Sequence, residues 1–148
     1  MGYEKKVAWN SSMSVGEETI DTQHKKLIGQ INKLIDILSS LNVDMGSLRE
    51  TGHFLYTYIK EHFAYEEEYM EKNDFPGLEG HKKIHANFIQ FYKDFQTELK
   101  EDMTSGNFSS LEIEKLMEKI KKYLLDWLVQ HIKGIDQEYA KYIKSHDS

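Results

Sequence analysis

Residues 81–85 read HKKIH, two histidines four positions apart, and on a helix both imidazoles lean from one face a single turn apart. Imidazoles at that interval can share a transition-metal ion, alone or with a carboxylate. The stretch HFAYE sets His62 and Glu66 at the same interval. His62 also follows Leu55 and Tyr58 at helical spacing, and His85 precedes Phe88 by three. His24 precedes Leu27 and Ile31, and His131 follows Leu124 and Trp127, so each continues an apolar stripe. His24, His62, His81, His85 and His131 are therefore expected to point inward, with Glu66 beside them.

The other histidines act as a control. His53 lies nine residues before His62, which at about 100° per residue puts it on the far side of its helix, and His146 lies in a polar tail. Asp136 is harder to place. It follows His131 by five, about 140° round a regular helix, so it joins the cluster only if the helix widens as in a π-bulge or loosens near Gly134.

Taken singly, HKKIH and HFAYE are more often solvated pairs, and a lone inward histidine is more often a hydrogen-bonded core residue. Taken together these readings fail. Burying five imidazoles and two carboxylates without a metal costs several kcal/mol of desolvation, in a domain with about 5–15 kcal/mol of net stability. The donors suit iron, manganese, zinc or copper, and seven are too many for one ion. If both carboxylates and one solvent oxygen bridge two six-coordinate ions, a single position stays open on one of them. Such a vacancy in a dry pocket can hold dioxygen. Carboxylate-rich di-iron oxidases of the bundle class show the reverse balance of donors, so a histidine-rich set favours holding oxygen over spending it.

Four helices must position these groups. One proline, Pro76 within NDFPG, interrupts a chain that otherwise reads as long amphipathic segments. The periodicity predicts helices over about 20–41, 47–72, 78–103 and 110–144, with Ser47/Glu50 and Ser109/Glu112 as capping boxes opening the second and fourth. The expected fold is all-α, an antiparallel up-down-up-down four-helix bundle in a single domain, with residues 1–18 as an N-terminal arm. Phe88, Phe91, Phe95 and Trp127 supply core aromatics, and Tyr3, Tyr139 and Tyr142 are assigned to an interface or to the bundle ends.

Composition narrows the function. A net charge of −6 with no concentrated basic patch argues against nucleic-acid binding, and a mean hydropathy of −0.64 without a long apolar run argues against a membrane span. Cysteine is absent, so any metal is held by nitrogen and oxygen. The opening MGYEKKVAWNSSMSV lacks the apolar core of a signal peptide, and Lys6 stands where a myristoylation motif wants Ser or Thr. A cytoplasmic protein is expected, in which the sequons at Asn10 and Asn107 have no glycosylation role.

IDTQHKKL, HFAYEE, HKKIH and WLVQHIKGID together resemble the hemerythrins, specifically the bacterial hemerythrin-like proteins, from Trp9 to about Ile143. All seven ligand positions are filled in the family's order. The resemblance implies two iron ions, Fe2+/Fe3+, bridged by Glu66, Asp136 and a solvent-derived oxo or hydroxo group. His81, His85 and His131 would hold the saturated iron, and His24 and His62 the iron with the vacancy. It also implies an apolar oxygen pocket at Leu27, Phe63, Trp127, Leu128 and Ile132.

Reversible dioxygen binding for storage, delivery or sensing is then the expected function, with no enzyme activity beyond a peroxidase-like side reaction. The alternatives are a di-iron oxidoreductase acting on peroxide, on nitric oxide or in iron-centre repair, and an iron reservoir.

Overall fold

The computed structural model describes residues 7–106 and 108–146, so Tyr3, Lys6 and Asn107 lie outside the described residues. Helix α1 spans Glu18–Ser39, α2 Met45–Lys72 and α3 Leu78–Ser105. The fourth rod is continuous but uneven: α4 Ser110–Lys119, a π-helical stretch Ile120–Asp126, α5 Trp127–Gln130, a second π-helical stretch His131–Ile135, and α6 Asp136–His146. Together the rods form an all-α four-helix bundle, as the periodicity predicts.

Two helix starts differ from the sequence reading. Asp44, not Ser47, caps α2: its carboxylate accepts from Ser47 N at 3.1 Å, which places Ser47 inside the first turn. A carboxylate there meets the free N–H groups and the positive end of the helix dipole together. Helix α1 begins at Glu18 because Glu17 accepts from the amides of Thr19 and Ile20 at 2.5 and 3.0 Å. Ser109 does cap α4, accepting from Glu112 N at 3.3 Å. Leu41 lies beyond the end of α1 and is fully exposed.

The core runs the length of the bundle from Leu27, Ile31 and Leu34 on α1 through Leu55 and Phe63 on α2 to Phe88 and Phe95 on α3 and Leu124 and Leu128 on the fourth rod. A smaller cluster of Val15, Ile20, Met70 and Tyr139 closes one end. The arm is tied down by polar contacts: Asn32 Nδ2 donates to Val7 O at 2.8 Å, Gln137 Nε2 donates to Ser14 O at 3.2 Å, and Lys25 sits over the Trp9 ring. Met13 and Val15 of the arm are themselves buried.

The α2–α3 turn is built around one close approach. A Cβ at Gly77 would come within 2.7 Å of the Phe75 ring, so any larger residue there would have to displace that ring. Phe75 in turn packs edge-on against Tyr139 and Tyr142. Among the described residues, no helix is long and apolar enough to cross a membrane.

Candidate metal centre

Each rod delivers at least one imidazole to the same interior point. His24 comes from α1, His62 and Glu66 from α2, His81 and His85 from α3, and His131 and Asp136 from the fourth rod. All seven are buried, none more than 4 % exposed. His53 and His146 are exposed and stand apart.

The awkward interval between His131 and Asp136 resolves into geometry. His131–Ile135 is π-helical, and the wider turn carries Asp136 onto the same side as His131, whose Nε2 lies 3.0 Å from Asp136 Oδ1.

The histidines divide into two sets around the carboxylates. His81, His85 and His131 gather with Glu66 and Asp136, while His24 and His62 gather with Glu66. Both carboxylates reach both sets. Asp136 Oδ1 faces His81 Nε2 at 3.1 Å and its Oδ2 faces His24 Nε2 at 3.2 Å. Glu66 Oε1 faces His85 Nε2 at 3.4 Å and His62 Nε2 at 3.3 Å, and its Oε2 faces His24 Nε2 at 3.4 Å.

These donors suit metal ions better than one another. The Nε2 atoms of His24, His81, His85 and His131, with Glu66 Oε1 and both Asp136 oxygens, are buried without a hydrogen-bond partner. A protein leaves that many polar atoms unsatisfied only where something else meets them. Two ligand atoms at right angles, each about 2.1 Å from one ion, lie about 3.0 Å apart, which matches the separations above.

Outer groups orient the rings. His62 Nδ1 donates to Gln23 Oε1 at 2.7 Å and His85 Nδ1 donates to Glu67 Oε2 at 2.9 Å, so in both rings Nε2 is left bare and aimed inward. Tyr139 Oη donates to Glu66 Oε2 at 2.5 Å. Of the two places the sequence leaves open to Tyr139, an interface or a bundle end, the structure has the second: it is fully buried in the cluster that closes one end, with its hydroxyl turned to the imidazoles. Tyr142 is half-buried and stacks on His146. Gln23, Glu67 and Tyr139 were missed because each reads as an ordinary surface or end residue. The signal that could have found them is phase, since Gln23 adjoins His24, Glu67 adjoins Glu66, and Tyr139 follows Asp136 by three.

The electrostatics follow from burial among charges. For His24 burial opposes the charged ring, but the adjoining Asp136 and Glu66 carboxylates prevail and raise its pKa from 6.5 to about 9. His85 is raised in the same way, against burial, by Glu66 and Glu67. For His62 burial wins over Glu66 and lowers it. Burial and Glu66 both push Asp136 up, yet His131, His24 and His81 outweigh them and bring it from 3.8 to about 2. Glu66 is held well below the usual carboxylate range against burial, by His62, His24 and His85.

The expected pocket residues are not grouped around one histidine set. Phe63 stacks face to face on His85, centroids 3.7 Å apart, and lies 5.8 Å from His62. Trp127 stacks on His131 at 4.6 Å and on Phe88 at 4.0 Å. Leu27, Leu128 and Ile132 are buried in the same apolar cluster as Phe63.

The profile of the Hemerythrin HHE cation binding domain matches residues 15–143. A bacteriohemerythrin of Stenotrophomonas maltophilia is 28 % identical over 95 % of this chain and 83 % of its own. A myohemerythrin of Theromyzon tessulatum is 30 % identical over 88 % of each chain. A crystal structure of a hemerythrin point mutant superposes with a TM-score of 0.71 at 22 % identity, covering 93 % of this chain and 96 % of that one.

Proposed function

The chain belongs to the hemerythrin family, and on that premise we propose that it binds dioxygen reversibly at a non-haem di-iron centre. His81, His85 and His131 would hold one ion, His24 and His62 the other, with Glu66 and Asp136 between them. The observation that carries this reading is the unequal division of five buried imidazoles across two shared carboxylates. The set with three imidazoles would fill its ion, and the set with two would leave its ion short of a ligand.

A bound iron pair supplies the electrons that hold dioxygen and accepts them back on its release. The polypeptide does the rest. Gln23 and Glu67 accept from Nδ1 of His62 and His85, so that Nε2 is the nitrogen each ring turns to the centre for a metal. Tyr139 keeps a proton on its phenol, since burial and then Glu66 push it well above its ordinary value, and it remains a hydrogen-bond donor to Glu66. Phe63, Phe88 and Trp127 form an aromatic wall over His85 and His131, keeping water and protons from the site. A cysteine-free chain with five imidazole donors fits a cytoplasmic carrier or store of oxygen.

The test is anaerobic reduction followed by an oxygen titration under visible spectroscopy, with iron counted on the same sample. Two irons per chain and full return of the starting spectrum when oxygen is removed are expected. A one-way spectral change under peroxide or nitric oxide turnover would replace this reading with an oxidoreductase. A loaded protein with no oxygen-dependent band would replace it with a metal store.

A further inference from the structure

A second cavity lies far from the imidazole cluster. Between α2 and α3 runs a groove of about 650 Å³ whose floor includes Leu99 and Met103 and whose rim carries Arg49, His53, Lys93 and Lys100. On α2 its floor at Gly52 is fourteen residues from Glu66, roughly 20 Å at 1.5 Å per residue.

Three observations give the groove a chemistry. The chain has 25 acidic residues against 19 basic ones, yet no acidic residue lines this groove while three Lys/Arg side chains and a histidine do. Arg49 is the sole arginine of the sequence, and among the described residues no carboxylate lies within ion-pairing distance of Arg49, Lys93 or Lys100. A planar guanidinium recognises carboxylate or phosphate through two parallel hydrogen bonds, and among the described residues none offers Arg49 such a partner.

The third observation is Gly52, buried in mid-helix. Glycine there weakens the helix by about 1 kcal/mol relative to alanine. A Cβ at Gly52 would meet only ordinary contacts, Gln96 Nε2 at 3.7 Å and Tyr92 Oη at 4.0 Å, so packing does not demand glycine. What its absence of side chain does is keep the floor of the groove open.

We propose that this groove binds an amphipathic organic anion, an apolar chain lying along Leu99 and Met103 with its single anionic head group held by Arg49 and Lys93. The volume is that of sites for small organic ligands, which are mostly apolar with a few placed polar groups. The inference does not depend on what the imidazole cluster holds.

The test is calorimetric titration of decanoate and of decyl phosphate into the iron-loaded full chain, with decanol and decyltrimethylammonium alongside. Saturable one-to-one binding of at least one anion is expected, and the tighter of the two identifies the head group. The neutral and cationic chains should bind at least tenfold more weakly. The double variant R49E/K93E, both positions exposed, should lose at least tenfold in anion affinity while its thermal midpoint and visible spectrum stay as in the parent. Amide shifts on adding the anion should map to Arg49, Gly52 and Gln96 in the unaltered chain, which keeps the test decisive should the variant fold poorly. Equal binding of decanol, unchanged affinity in the variant, shifts confined to other faces, or no saturable binding would each overturn the proposal.

Discussion

Tyr139 Oη and Glu66 Oε2 are 2.5 Å apart in a fully buried setting, and this bond joins the fourth rod to α2 directly at the imidazole cluster. Tyr139→Phe leaves the ring packing against Tyr69 and Phe75 but removes the one hydroxyl donor to that oxygen. The metal-free variant should be about 1–3 kcal/mol less stable in urea melts, because a buried carboxylate oxygen loses its partner. Stability equal to the parent would show that the hydroxyl contributes nothing there.

The pKa of His24 makes the metal-free chain sensitive to alkali. Its folded value of about 9 exceeds the unfolded 6.5, so its contribution is complete below 6.5 and is lost as pH rises through about 9. His85, also raised, acts in the same direction, whereas His62, lowered by burial, changes stability only below 6.5. Between pH 6.5 and 9 the metal-free protein should lose on the order of 3 kcal/mol through His24 alone. With metal bound no proton can occupy these nitrogens, so the loaded protein should show little change in that window, and apparent metal affinity should climb with pH. Urea melts at several pH values, with and without chelator, check both arms.

Glu67 and Gln23 touch the centre only through His85 and His62. Glu67→Ala or Gln23→Leu frees a ring to rotate or to move its proton onto Nε2, and each should weaken iron binding by about 10–100-fold. Competition against a chelator of known affinity measures this, with circular dichroism expected to remain unchanged.

Trp127 is half-buried, stacked between His131 and Phe88. If the chain holds iron as proposed, Trp127→Ala or Leu128→Ala should admit water and speed irreversible oxidation of the loaded protein in air several-fold, followed as decay of its oxygen-dependent band. An unchanged rate in both would remove these side chains from the barrier.

Much of this architecture could be read from residue spacing, and the parts that could not share a cause. Stripes through His24, His62, His85 and His131 follow the regular 3.6-residue repeat, so their inward aim was visible in the sequence. Asp136 was visible only as a mismatch that demanded a widened turn, and His131–Ile135 is that turn. The other wide stretch, Ile120–Asp126, gives the interior only the aliphatic side chains of Ile120, Leu124 and Leu125, whose pattern tolerates the change of phase and so gave no warning. The bond from Tyr139 to Glu66 was not foreseen because a tyrosine near a helix end has many uses. Its partner, 73 positions away, is fixed by tertiary packing and not by any local signal. Likewise Asp44 displaced Ser47 as a cap because a carboxylate one residue before the first turn competes better for the same amides.

The fourth rod supplies both His131 and Asp136, which close the cluster from its side. A ribosome must therefore synthesise past residue 136 before all seven donors exist. Earlier fragments offer at most His24, His62, Glu66, His81 and His85, with no fourth wall to shut out solvent. On the proposed function, completion of the metal centre would accordingly come late in the life of the chain, and iron loading would be a direct readout of whether a newly made copy has finished folding.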